Sequence, residues 1–271
     1  MNITEIFTRK NRLLLKAMVS TDFKLRYQQS VLGYIWSVLK PLMLFAIMYL
    51  VFVKFLRFGQ DIPHFAVALL LGTVMWSFFS EATTGGMMSV VGHGDLLRKI
   101  HFPQLTVTIA AVASALINFG INFVVVVIFS LVNGVHITWS ALLIIPIFCE
   151  LLLLSTGVAL FLGALFVNFR DLSPIWEVVM QAGFYATPII YPVSLVSINV
   201  GPEAARLILL NPMAQIIQDA RHVLIDTNNP TIWESFNHSA IGLVPIALSV
   251  VIFVGGVAFF SSRSKTFAEL V

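Results

Sequence analysis

Charge is scarce in this chain of 271 residues: Asp, Glu, Lys and Arg make up 11% and hydrophobic residues 58%, against roughly 25% and 45–50% in soluble domains. With a mean hydropathy of +0.93, it reads as an all-α polytopic membrane protein. There is one cysteine, Cys149, inside an apolar run, which excludes a disulfide framework and a cysteine-based metal centre. The six histidines (His64, His93, His101, His136, His222 and His238) stand apart near span ends or in loops. A GxxxxGK[ST] phosphate loop and an HExxH motif are both missing. No catalytic residue, resident cofactor or metal site is expected. At ~20 residues per crossing there is room for about six spans and no large soluble domain, so soluble catalytic machinery belongs on another chain. The start, MNITEIFTRKNRLLLKAMVS, is too charged for a secretory signal, and insertion is expected to rely on the first span.

What the chain does hold is a run of apolar segments opened by one amphipathic stretch, Asp22 to Pro41. On a helical wheel Asp22, Arg26, Gln29, Ser30 and Gly33 share a sector opposite Phe23, Tyr27, Val31, Tyr34 and Ile35, the pattern of a helix lying in a membrane interface. Spans are then expected from about Pro41 to Phe55, from His64 through Trp76 and Phe79, from Leu105 to Val132, from Trp139 to Val167, from Ile175 to near Pro188, and from Ala240 to Phe260. After Glu81 the second span is expected to loosen in the Gly-rich passage TTGGMMSVVGHG. Residues 95–102, ending in Phe102, follow as a short helix stopped by Pro103, with Asp95 at its start, Leu96, Leu97 and Ile100 giving it an apolar side, and Arg98, Lys99 and His101 a basic one. Such a helix either sits in a groove on a partner or caps a surface loop. Twelve Lys and Arg fall on the side of the N-terminal arm and four (Lys54, Arg57, Arg206 and Arg221) on the other, which puts both termini in the cytoplasm.

Between the fifth and sixth spans, residues 193–239 are not a plain loop. Met213, Ile216, Ile217, Ala220, Val223 and Leu224 recur at helical spacing, Asn211 and Pro212 read as cap and first position, and AARLILL precedes them. The pair reads as an outer re-entrant hairpin, tolerated where it is buried in protein or lines a watery cavity. The domain plan is thus one unit: arm and interface helix 1–40, five spans over 41–192, hairpin 193–239, and sixth span with tail 240–271.

Glu150 lies eleven residues inside Trp139, ~16 Å along a helix, and reads as the one acid so deep. Asn122 falls at similar depth on the preceding span, so an Asn122–Glu150 hydrogen bond is expected; a proton-relay carboxylate is the alternative. Tyr34, Trp36, Tyr49, Trp76, Phe78, Phe79, Phe184, Tyr185 and Tyr191 crowd the first, second and fifth spans. Such rings stack on sugars and offer polar edges, or they form the aromatic belt of any membrane protein.

Four ordered motifs, DFKLRYQQSVLGYIWSVLKPLM, GDLLRKIHFP, NFRDLSPIWEVVMQAGFYATPIIYP and LNPM, resemble the membrane subunits of ABC exporters for polysaccharides and teichoic acids, the first motif especially those of Gram-positive rhamnose-containing wall polysaccharides. The resemblance implies a homodimer of six-span subunits in the bacterial cytoplasmic membrane, each docked on an ATPase that binds ATP and Mg. Residues 22–36 become the gate helix, 95–102 the coupling helix and 203–225 the outer gate. The implied substrate is a glycan on a polyprenyl pyrophosphate. Lys24, Arg26 and Lys40, expected at the inner headgroup level, would steady the pyrophosphate by charge-assisted contacts, and Tyr34, Trp36, Tyr49, Trp76, Phe79, Phe184, Tyr185 and Tyr191 would line the sugar path. Two rival classes are an ABC exporter of a small lipophilic compound and a proton-coupled flippase acting alone, which should show several buried carboxylates.

Overall fold

A computed structural model describes residues 9–27, 35–59, 62–99, 102–136, 138–237, 239–264 and 267. Among these, the helices are α1 (Arg9–Tyr27), α2 (Ile35–Met48), α3 (Phe65–Gly92), α4 (Gly94–Lys99), α5 (Leu105–Val132), α6 (Ile144–Phe166), α7 (Leu172–Ala186), α8 (Val193–Asn199), α9 (Pro202–Leu209), α10 (Pro212–Leu224), α11 (Ile232–Ser235) and α12 (Val244–Arg263). A π-helical turn, Tyr49–Phe55, extends α2, and 3-10 turns at Trp139–Leu143 and Ala240–Leu243 lead into α6 and α12. Five helical stretches are long and apolar enough to cross a membrane: Ile35–Phe55, Phe65–Gly92, Leu105–Val132, Trp139–Phe166 and Ala240–Arg263.

The third, fourth and sixth expected spans match their helices to within a few residues; the others need correction. The expected fifth span forms only α7, whose 15 residues reach ~22 Å, short of the ~30 Å hydrocarbon core. It stops where Pro188 and Pro192 deny the backbone its donors. Asp22 lies within α1, which is helical from at least Arg9, and its Oδ1 stands 3.8 Å from His93 Nε2 at the end of α3. Residues 28–34, and with them Tyr34, lie outside the described residues. Pro41 does not open the first span; it sits inside α2.

The Gly-rich passage after Glu81 stays helical through Gly92. Its small residues permit close packing: a Cβ at Gly86 would come within 2.5 Å of Ala159 Cβ on α6. The hydroxyls of Thr83 and Ser89 are absorbed by the carbonyls of Phe79 and Gly86, each at 2.7 Å. Helix α3 is thus the central post, with Val67, Leu69, Leu71, Met75, Ala82 and Met87 fully buried against α5, α6 and α10. Helices α6 and α12 meet just as closely, the backbone of Gly157 lying against Gly256, as small residues allow between membrane helices.

Between α7 and α12 the two expected short helices form as α9 and α10. Asn211 Oδ1 accepts from the Met213 N–H at 3.0 Å, a helix cap, and Pro212 starts α10. Met213, Ile216, Ile217, Ala220 and Leu224 are buried, with Val223 half-buried.

Candidate functional site

The first, second and third long helices line a half-open cavity of about 660 Å³. Helix α2 contributes Trp36, Ser37, Lys40, Pro41 and Leu44; α3 contributes Val74, Trp76, Ser77, Phe78, Ser80, Glu81, Thr84 and Gly85; α5 contributes Asn118, Phe119 and Asn122.

Three hydrogen bonds build its wall. Pro41 has no N–H to give the Ser37 carbonyl one turn earlier, and Asn122 Nδ2 of α5 donates to that carbonyl at 3.1 Å, and also to the Asn118 carbonyl at 2.9 Å. Asn118 Nδ2 in turn donates to Glu81 Oε1 of α3 at 2.8 Å. Further along, Phe45 and Phe129 meet edge to face at 5.5 Å, so α2 and α5 run side by side in the same direction. Lys40, exposed near the start of α2, faces the cavity.

Of the other expected path residues, Trp36 and Trp76 line the cavity. Trp76 packs on Gly183 of α7, where a Cβ would lie 2.9 Å from its ring, and meets Phe79 and Phe184 at 5.7 and 6.1 Å between centroids. Phe79 is buried behind it. Tyr49 stacks beside Phe45 under the Lys54 ammonium, away from the cavity. Tyr185 is 56% exposed, and the Tyr191 hydroxyl donates to the carbonyls of Tyr185 and Ala186, at 3.1 and 3.2 Å, closing the end of α7. Lys24 and Arg26 belong to α1.

The short inner helix forms as α4, Gly94–Lys99, with Asp95 exposed at its start and Leu96 half-buried. Leu96 and Phe102 pack beside Met18, Val90 and Leu105. Leu97, Arg98 and Lys99 continue the helix, while Ile100 and His101 lie outside the described residues.

The expected Asn122–Glu150 bond is not made. Glu150 accepts from Ser249 Oγ of α12 at 3.2 Å and from Gln215 Nε2 of α10 at 3.4 Å, and Gln215 Nε2 also donates to Asp219 Oδ2 at 2.6 Å. Glu150 therefore joins α6 to α12 and the outer hairpin rather than to α5. Nor is it the only deep acid, because Glu81 faces the cavity and Asp219 is buried. Glu81 was legible as a carboxylate between Trp76 and the TTGG passage; expecting the helix to loosen there concealed its depth. Burial pushes the Asp219 carboxyl up to about 6, an effect the Gln215 bond and nearby His222 oppose.

Arg221 of α10 is fully buried, its guanidinium donating to the carbonyls of Ala68 at 3.0 Å, Pro188 at 2.7 Å and Ile189 at 2.8 Å, and to Gln218 Oε1 at 2.8 Å. The carbonyls at 188 and 189 follow the end of α7, where no intrahelical donor reaches them. Burial lowers the Arg221 pKa to about 9, which leaves it cationic at neutral pH. A Cβ at Gly72 would lie 2.8 Å from its Nη2, so the glycine makes room for the guanidinium.

Long apolar helices gathered around a cavity lined by ring faces and a few polar groups suit a membrane transport subunit. The chain belongs to the ABC-2 type transporter family, which it matches over residues 13–225. It is 29% identical to the O-antigen export system permease protein RfbA of Myxococcus xanthus over 263 residues, covering 96% of each chain. It is also 28% identical to the protein of that name from Klebsiella pneumoniae over 260 residues, covering 95% of each.

Proposed function

We propose that this chain is the channel-forming subunit of an ATP-driven exporter that moves a polyprenyl-pyrophosphate-linked polysaccharide, of wall-polysaccharide, O-antigen or teichoic acid type, from the cytoplasm to the outer face. The likeness to O-antigen export permeases along almost the full length of both chains carries this reading. The cavity fits it, since tryptophan faces beside hydroxyl, amide and carboxylate groups suit sugars, which present apolar CH faces and hydroxyl edges.

Residues 1–271 act as one transporter domain in the bacterial cytoplasmic membrane, with both termini cytoplasmic, as the excess of Lys and Arg on that side supports. Helix α7 with the irregular 187–192 segment completes a sixth crossing. Helices α9 and α10 form a re-entrant outer gate, supported by Gln215 reaching Glu150 inside α6. Two copies pair, and each receives one cytoplasmic ATPase, which holds ATP and Mg, on α4. Closure of the ATPases pushes α4 and spreads α2 and α7 so that the lipid-linked chain enters from the side. Lys24, Arg26 and Lys40 steady the pyrophosphate at the inner face.

Depleting the chain in its host and labelling lipid-linked glycan in intact and lysed cells tests this. Full-length polymer should accumulate on the cytoplasmic side. Normal surface polymer with no internal build-up would overturn the reading in favour of a small lipophilic substrate.

A further inference from the structure

Two acids meet where α10 docks on the membrane helices. Glu150 of α6 and Asp219 of α10 are 9% and 8% exposed, and the Gln215 amide lies between them, its Nε2 3.4 Å from Glu150 Oε2 and 2.6 Å from Asp219 Oδ2. This junction is rich in acceptors and poor in hydrogens. Ionised carboxylates and an amide oxygen can only accept, while the hydrogens aimed at them come from Gln215 Nε2 and from the Ser249 hydroxyl, which also reaches the Pro245 carbonyl at 3.1 Å. Asp219 Oδ1 and Gln215 Oε1 are buried without a hydrogen-bond partner among the described residues. Two like charges in one buried site oppose each other's ionisation, so one added proton removes a charge and supplies a missing hydrogen.

We propose that Asp219 is a proton-binding site, and that the proton it takes latches the α9–α10 hairpin against Glu150 and Gln215. The charges around it do not stand in for that proton. Helix α12 brings Ser249 to the junction and carries Arg263 at its far end. Glu81 of α3 faces the cavity, Glu203 and Arg206 of α9 pair with each other at 2.8 Å, and the 139–143 turn has no ionisable residue. Arg221 gives its donors to Gln218 and to the carbonyls of Ala68, Pro188 and Ile189. Glu234 of α11 adds negative charge toward Asp219, and His222 on the same helix opposes it. Because burial raises the Asp219 carboxyl from 3.8 to about 6, the hold is complete below about pH 4 and is lost as pH rises through about 6. The consequence for transport rests on the reading of this hairpin as the outer gate: an acidic outer face holds the gate shut and a neutral one frees it.

The test is hydrogen exchange of the full chain in phosphatidylethanolamine/phosphatidylglycerol nanodiscs at about pH 5 and about pH 8, corrected for the intrinsic pH dependence of exchange and referenced to α5. Exchange over residues 202–225 should be faster at the higher pH by roughly tenfold or more. Asp219→Asn, which carries hydrogens in place of the charge, should be slow at both. Glu150→Gln, which removes the second carboxylate and brings an amide hydrogen to the junction, should narrow the difference, and it provides a second arm if the Asp219 variant does not fold. His222→Gln leaves both carboxylates in place and should keep the difference. Equal wild-type exchange at the two pH values, a difference unmoved in both acid variants, or one abolished by His222→Gln would overturn the latch. Each of these results leaves glycan export standing, and a failure of glycan flux in vesicles leaves the latch standing.

Discussion

The Ser37 carbonyl accepts its hydrogen bond from Asn122 on another helix, at 3.1 Å. Pro41 causes this, because it stands where the intrahelical donor to that carbonyl would be. A residue that usually breaks a helix here docks α2 onto α5 and fixes one wall of the cavity.

That relationship predicts coupling. Asn122→Leu should destabilise the purified protein by about 1–2 kcal/mol, the cost of an orphaned buried carbonyl. In a Pro41→Ala background the carbonyl regains a donor, and the same substitution should cost clearly less. Melting temperatures of the four members of the double-mutant cycle in detergent read the difference; strict additivity would remove the link.

Glu150 is expected to act as a joint rather than a proton carrier. Glu150→Gln keeps an oxygen for Ser249 and should change stability and transport little. Glu150→Ala removes the acceptor that ties Gln215 and Ser249 to α6, leaving Gln215 on Asp219 and Ser249 on the Pro245 carbonyl, and should cost on the order of 1 kcal/mol. Loss of transport in a well-folded Glu150→Gln protein would favour the relay instead.

Asp219 gives a pH signature. Burial raises its pKa from the ordinary 3.8 to about 6, and its Oδ1 has no hydrogen-bond partner. The folded state therefore binds the proton more tightly than the unfolded chain. The stability this contributes is present below about pH 4 and is lost as pH rises through about 6. Asp219→Asn mimics the protonated form. It should melt like the wild type at pH 4 and be more stable at pH 7.5, by on the order of 2 kcal/mol. An equal difference at both pH values would contradict the assignment.

The seat of Arg221 against Gly72 predicts that Gly72→Ala loosens the outer hairpin. The guanidinium cannot retreat from three carbonyls, and overpacking of this kind costs ~1–3 kcal/mol. Faster hydrogen exchange over residues 202–225, with α5 unchanged, is the expected readout. Unchanged exchange in that segment would show that the guanidinium has other room.

The long spans were legible because hydrophobic runs of 20 residues or more have one solution in lipid. The hairpin was legible because Asn211–Pro212 and the spacing from Met213 to Leu224 agree. Three features were not. Pro41 and the TTGG passage read as breaks, since local propensity does not see Asn122 or Ala159 arriving from distant segments. Glu150 was paired with Asn122 by depth alone, which ignores the direction a side chain faces around its helix, and its true partners lie 65 and 99 residues further on. The cavity gathered Trp36 and Trp76 from the expected path residues and Lys40 from the expected pyrophosphate contacts, while Glu81 became visible only once α3 was continuous.

In the proposed mechanism ATP drives movement of a lipid-linked glycan through this subunit. Its most direct test is a reconstituted flux measurement: this chain and its ATPase in proteoliposomes, with a fluorescent polyprenyl-pyrophosphate glycan and a membrane-impermeant sugar-modifying probe. ATP should carry the glycan across only when both chains are present, and Trp36→Ala with Trp76→Ala should slow it while ATP hydrolysis continues. Hydrolysis without movement of the glycan in the wild type would contradict the account.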